Sequence, residues 1–245
     1  MVIAFHHGTA ARFYYHNLDM SNYVEAVEME VSRELAEIKP QGDTNVSRVA
    51  GLRSGSVALT GGAAGFAAGE SDEWVFSRRA DTTQKAFAFL PYGDLLNRSA
   101  YLGQVWHNSQ KRVATSSDAV RLPVALIGTN RMERGLILRA LATDGTSPGS
   151  KSPASGGADS DFGGAGYLIV TALTGTLNVI IEHSVNGTDN WATLITFTEQ
   201  TSGDPLSQVV LTATPTTNVR AYVRVAWTLS ANHATFFAAF ARRTH

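Results

Sequence analysis

Side chains able to do chemistry are few and widely spaced in this 245-residue chain, which has seven histidines and no cysteine. Disulfides and thiolate metal sites are therefore excluded, and stability must come from packing or assembly. His6 and His7 are adjacent, but neighbours on a strand face opposite ways and a chain terminus fixes no geometry, so they make a poor metal pair. His16, His107 and His183 stand apart with no carboxylates at ligand spacing and read as solvated or locally bonded, and His245 is terminal. Glu28 and Glu30 would share one strand face roughly 6–7 Å apart. That separation suits a pair of glycosidase acids, yet an ordinary solvated strand face gives the same pattern. Gly61-Gly62 lacks the Gly-Lys-Ser/Thr ending of a phosphate loop, and Gly55-Ser56 is no nucleophile elbow. No catalytic, cofactor-binding or metal-binding residue is assigned, and no cofactor is expected.

Lysine plus arginine number 20 against 21 for aspartate plus glutamate, so no strong overall field draws the chain to nucleic acid or to an anionic membrane. The basic doublets Arg78-Arg79, Lys111-Arg112 and Arg242-Arg243 lack the aromatic interleaving of a single-strand-binding surface and read as solvated or ion-paired. Of the four tryptophans, Trp227 is expected in a core. Trp191 follows the polar turn 186–190 and is the best placed to present a solvent-facing platform for sugar.

These residues must be carried by strands. Ala10 to Tyr15 reads as a short strand, followed by a turn in which Asn17 and Asp19 can bond nearby backbone. Residues 54–60, 73–79, 85–90, 99–108 (continuing to 113), 119–129 and 132–142 each read as strands broken by turns, without long helices between them. That organisation argues for an antiparallel β-barrel or sandwich. Val24 to Ile38 carries both a helical stripe and a strand alternation, and its Glu and Ala content leans to helix. Thr143 to Gly166 is rich in Gly, Ser and Pro with one large side chain, Phe162. It reads as an arm or link between residues 1–142 and a C-terminal β-sandwich of 167–245.

In that C-terminal part, Tyr167–Ala172 and Leu177–His183 are expected to form a hairpin about Thr174-Gly175. Asn186-Gly187 then turns the chain into a strand with Trp191, Thr193, Ile195 and Phe197 on one face. Residues 222–227 and 235–240 read as the last two strands. The second is apolar on both faces, as in a strand central to a sandwich or pressed on another subunit. The opening Met1–His7 lacks the basic region and long apolar run of a secretory signal, and no 18-residue apolar run follows, so a soluble protein made in a cytoplasm is expected.

The segments His7–Tyr15 and Leu18–Tyr23, the run Val24–Arg33, the block Val49–Leu59, and the C-terminal blocks 166–176, 220–227 and 234–242 resemble the major tail (tail tube) proteins of long-tailed, non-contractile bacteriophages. The resemblance spans nearly the whole chain. It departs at the glycine-rich 61–69 and at 35–40, and it tips Val24–Ile38 towards strand. What it implies is a mainly β, tail-tube-type fold without enzymatic activity. The subunits would close into rings, hexameric in the family, and the rings would stack into a phage tail tube for passage of double-stranded DNA during genome ejection. Partners would be further copies of itself and other tail proteins, with no membrane. The place of action would be the virion tail, after assembly in the host cytoplasm. Glu28 and Glu30 would then be candidates for the inner wall, where carboxylates repel phosphate. Two other readings stay open. One is a capsid decoration or tail-fibre attachment module with a carbohydrate-binding β-sandwich; the other is a hydrolase on the same scaffold.

Overall fold

The structure is a computed structural model that describes residues 10–38, 47–60, 71–113, 121–128, 132–145, 149–150, 154–155, 157–202 and 207–243. In chain order its elements begin with β1 (Arg12–Tyr15), β2 (Leu18–Asp19), β3 (Ala26–Ile38), β4 (Ser47–Thr60), a short helix α1 (Ser71–Ser77), β5 (Lys85–Leu90) and β6 (Ser99–Gln110). They continue with β7 (Val124–Gly128), β8 (Glu133–Asp144), β9 (Gly149–Ser150), β10 (Ala154–Ser155) and β11 (Gly164–Ser184). The last are β12 (Ala192–Thr196), β13 (Gln200–Thr201), β14 (Ser207–Leu211) and β15 (Tyr222–Arg242). The fold is mainly β, and the strand pairs are antiparallel. Among the described residues no helix is long and apolar enough to cross a membrane.

The chain forms two compact units, each assembled from separated stretches. The first comprises residues 1–21, 85–102 and 133–245; the second comprises 22–84 and 103–132. Residues 143–166 lie within the first unit, and their short strands β9 and β10 both pair with β15. Glycine is needed there because a Cβ on Gly149 would run into the indole of Trp227.

The first unit is built on β11 and β15, two strands of 21 residues paired from Gly164↔Arg242 to Ser184↔Tyr222. The hairpin expected about Gly175 does not form, and β11 runs straight through it. A two-residue hairpin loop needs its own turn residues, usually more than one at positive φ. Here Gly175 alone, at φ 95°, is positive in the run, and it makes a bulge in the pairing between Thr174 and Thr176. The two expected terminal strands are likewise one continuous β15.

Bulges also change which side of a strand faces inward. Leu168 and Val170 share a core with Leu177, Val179 and Ile181, although the first two are even-numbered and the others odd. On β15 the same core takes Phe236, Ala238 and Phe240 together with Val223, Val225 and Trp227. The bent strand pair thus folds its two halves over one core, the device by which strands turn the corner of a sandwich. Gly166 sits at that closure, where a Cβ would come within 2.8 Å of Ile181 Cδ1 and 2.9 Å of Phe197 Cζ.

The opposite face of the 164–170 and 235–241 region is buried too. Ala165, Tyr167, Ile169, Phe237, Ala239 and Ala241 form a second core with Tyr14, Leu90, Leu102 and Ile137. Tyr14 meets Phe237 edge-on at 5.3 Å. The two-faced apolar pattern of 235–240 therefore marks a central strand within one chain. Burying one such large apolar side chain is worth about 1.5–3 kcal/mol.

The second unit contains α1 and the four-stranded order β3-β4-β7-β6, to which β6 contributes its part from Gly103 onward. Val24–Ile38, ambiguous in sequence, is a strand from Ala26 to Ile38. Residues 73–79, read as a strand, are instead the end of α1 and a 3-10 turn at Arg78–Ala80. Trp74-Val75-Phe76 is a contiguous apolar run with no alternation to define two faces, and Asp72 and Glu73 suit the positive end of a helix dipole. Strand β6 stops at Gln110 instead of reaching 113, where Val113 makes only an isolated bridge to Arg121. β7 occupies only Val124–Gly128 of the expected 119–129.

Candidate functional site

In the second unit, antiparallel register places Glu28 opposite Ala58 and Glu30 opposite Ser56, with Ser32 opposite Ser54. Ala58 and Ser56 in turn face Ala125 and Ile127 of β7. Side chains alternate along strands, so one sheet face presents two carboxylates with Ser32, Ser54, Ser56, Ala58, Ala125 and the exposed Ile127, and Glu28 and Glu30 are both exposed on it. Across the other face Val57, Leu59 and Leu126 are at most 2% exposed. Burial fades outward on β3: Val27 and Met29 are half-buried and Val31 is 52% exposed. Among the described residues β3 pairs only with β4, and no described strand pairs along its second edge.

The histidines do not converge. His16 is buried at φ 57°, with its N–H donating to Ala86 O at 2.8 Å and its Nδ1 3.1 Å from Ser207 Oγ. His107 is half-buried on β6, and His183 Nδ1 accepts from the Arg220 N–H at 3.2 Å. Burial, with Arg220 next, pushes the His183 pKa below its ordinary value. His6, His7, His245 and Gly61–Gly69 lie outside the described residues. Among the described residues no group of three His, Asp or Glu side chains is placed to hold a metal.

The basic doublets are used locally. Arg78 lies 3.6 Å from Asp81, and Arg112 lies over the Phe76 ring at 5.4 Å. Arg243 Nε donates to Glu133 Oε1 at 2.7 Å, while Arg242 donates to the main-chain oxygens of Ala158 and Val219. Glu133 also accepts from the Tyr167 hydroxyl at 3.1 Å; burial first, then Glu133, pushes that phenol up. Trp227 is a core residue, 6% exposed, edge-on to Phe236 at 5.5 Å. Trp191 is half-buried, and the Arg224 guanidinium lies 4.1 Å over its ring and pairs with Glu182 at 2.7 Å. A cation therefore already covers one face of the expected sugar platform. Thr193 is exposed while Ile195 and Phe197 are buried, because a bulge where Ile181 passes to Glu182 breaks the alternation in β12.

Two polar centres, one buried and one half-buried, have no counterpart in the sequence-based expectations. Arg139 on β8 is 0% exposed, its guanidinium 3.6 Å from the Phe236 ring centre. It donates to Phe236 O, to Ala142 O at 2.9 Å and to Asp144 Oδ2 at 2.6 Å. Burial lowers its pKa against the opposing pull of Asp144. Asp94, in the loop after β5, accepts from the Tyr14 hydroxyl at 2.8 Å and from the Leu141 N–H. Burial raises its carboxyl pKa in spite of both bonds. Asp94 is defined by partners far away in sequence, Tyr14 and Leu141, whereas Arg139 joins Ala142 and Asp144 of its own strand to Phe236 of β15.

No family model matches the chain, and no curated protein matches it. Among solved structures it is similar to a chain in the virion of a native gene transfer agent particle, at 14% identity and TM-score 0.40, over 53% of this chain and 98% of that one. It is also similar to the Dit protein of phage SPP1, at 9% identity and TM-score 0.38, over 94% and 98%. A chain of the phage p2 baseplate in its activated conformation matches at 8% identity and TM-score 0.36, over 96% and 98%.

Proposed function

We propose that this chain is a non-enzymatic structural protein of a phage tail, polymerising into rings that stack into a tube for DNA. The observation that carries the reading is β3, a 13-residue strand that pairs only with β4 among the described residues and has a partly exposed apolar side. A long strand with a single neighbour invites pairing with another chain, and repeated head-to-tail pairing closes a ring when the rotation per subunit allows. The face bearing Glu28 and Glu30 would line the inside, where fixed negative charge keeps phosphate moving. The residue-level resemblance to tail tube proteins supports the same reading, including sixfold rings, neighbouring tail proteins and a place in the virion. The test is electron microscopy of the purified chain alongside a Val31→Glu variant. Hollow filaments or stacked rings from the parent chain, lost in the variant, are the expected result. Persistent monomers of the parent chain would overturn it.

A further inference from the structure

The loop between β5 and β6 is fixed at its two ends by main-chain bonds and at its tip by one side chain. Gly93 N–H donates to Leu90 O at 3.1 Å, and Asn97 N–H donates to Ile137 O at 3.0 Å. Both residues hold left-handed conformations, at φ 82° and φ 63°, and they bracket the tip 94–96. Leu95 and Leu96 are exposed and anchor nothing. Asp94 turns inward, where its Oδ2 accepts from the Tyr14 hydroxyl of β1 and from the Leu141 N–H of β8. Leu141 can donate outside the sheet because it lies in a bulge: Ala140 and Leu141 together stand opposite Phe237, between the pairs Arg139↔Ala238 and Ala142↔Phe236.

The clasp is a carboxyl group in poor surroundings for a charge. Asp94 Oδ1 is buried and without a hydrogen-bond partner, and no cation bonds to Asp94 among the described residues. The ionisable groups that act on it are Arg12 and Tyr14 from β1, Asp19 from β2 and Arg139 from β8. Arg139 gives its guanidinium to Asp144 and to main-chain oxygens, and Asp19 repels an anion. An ionised Asp94 therefore gives up water on Oδ1 for which the protein supplies no donor. Burial accordingly raises its pKa above the ordinary 3.8 in spite of the two bonds on Oδ2. A group with a raised pKa in the closed state favours closure fully below its ordinary pKa, and that contribution is lost as pH rises through the closed-state value.

We propose that residues 94–96 form a strap that opens with rising pH, hinged at Gly93 and Asn97 and unclasped when the Asp94 carboxyl loses its proton. Opening uncovers the Tyr14 hydroxyl and the Leu141 N–H at the bulge while β11 and β15 stay paired. The device lies wholly within the first unit and does not depend on ring formation. The test is amide hydrogen exchange of the full chain followed by NMR between about pH 3 and about pH 7, each rate being divided by the intrinsic rate at that pH. Protection of the Leu141 amide, and of the Arg98 amide that donates to Leu95 O within the loop, is expected to fall roughly twofold or more as pH rises. Amides of the β11–β15 pair are expected to keep theirs, and Asp94→Asn, which cannot ionise, is expected to give a flat profile at Leu141 and Arg98. A flat profile in the parent, a fall that persists in Asp94→Asn, or a fall shared equally by the β11–β15 amides would overturn the strap.

Discussion

The strand pairs β11–β15 and β3–β4 are both long and antiparallel, yet they are finished differently. In the first, residues 164–170 and 236–241 are buried on both faces, and charged side chains are absent from those stretches. In the second, β3 carries Glu28 and Glu30 on one face and leaves Val31 half uncovered on the other. The contrast shows that a strand's two-faced composition reports how many layers cover it, whereas its length does not. It also separates a strand pair covered on both faces from a strand that has a single neighbour among the described residues.

The sharpest way to break the comparison is to attack the completed interior at Arg139. Arg139→Ala is expected to cost about 3–5 kcal/mol in chemical denaturation, because it leaves Asp144 and several main-chain oxygens without their donor. Arg139→Met, which fills the space without a charge, is expected to recover much of that loss. A loss below about 1 kcal/mol for the alanine variant would mean that the guanidinium does not hold the core. Next comes Gly135→Val on β8, where even a Cβ would stand 2.6 Å from Phe240 O. A main-chain oxygen cannot swing aside, so a loss of about 1–3 kcal/mol is expected in the same measurement.

A smaller effect is expected from pH. Asp94 has a folded pKa raised by burial above its ordinary value of 3.8. The folded form thus prefers the protonated acid, and this favourable contribution is complete below the unfolded pKa and lost as pH rises through the folded one. Denaturation midpoints of the parent should fall relative to Asp94→Asn as pH climbs out of that acidic range. Parallel profiles would show that Asp94 is not the responsible group. The smallest effect is expected on the open sheet: Glu28→Lys with Glu30→Lys should change stability by no more than about 0.5 kcal/mol per site. If filaments form, the double variant is expected to retain added double-stranded DNA in a sedimentation assay where the parent does not; equal retention would sever the carboxylates from the inner wall.

Much of the sheet was legible because alternation survives in short strands. Val223, Val225 and Trp227 against Tyr222, Arg224 and Ala226 sort by burial as their spacing predicts, and the two-faced 235–240 pattern found its cause in two cores. What was not legible depends on events that shift the period. One glycine at 175 turned an expected hairpin into a bulge, and a second bulge reversed the faces of β12. Arg139 and Asp94 were invisible for a different reason, since what marks them is the packing of Phe236 over the one and of Tyr14 against the other, which no local spacing announces. Trp191 was expected to offer a face to solvent, and the Arg224 guanidinium covers one side of it, a contact with no sequence signal.

The uninterrupted course of β15 from Tyr222 to Arg242 has a mechanical corollary. Its rungs to β11 and β8 run crosswise to the strand. Tension along the strand axis therefore loads many of them at once, in shear, whereas force applied across the sheet would part them one by one like a zip. Pulled lengthwise, β15 is expected to resist more than when peeled from its neighbours.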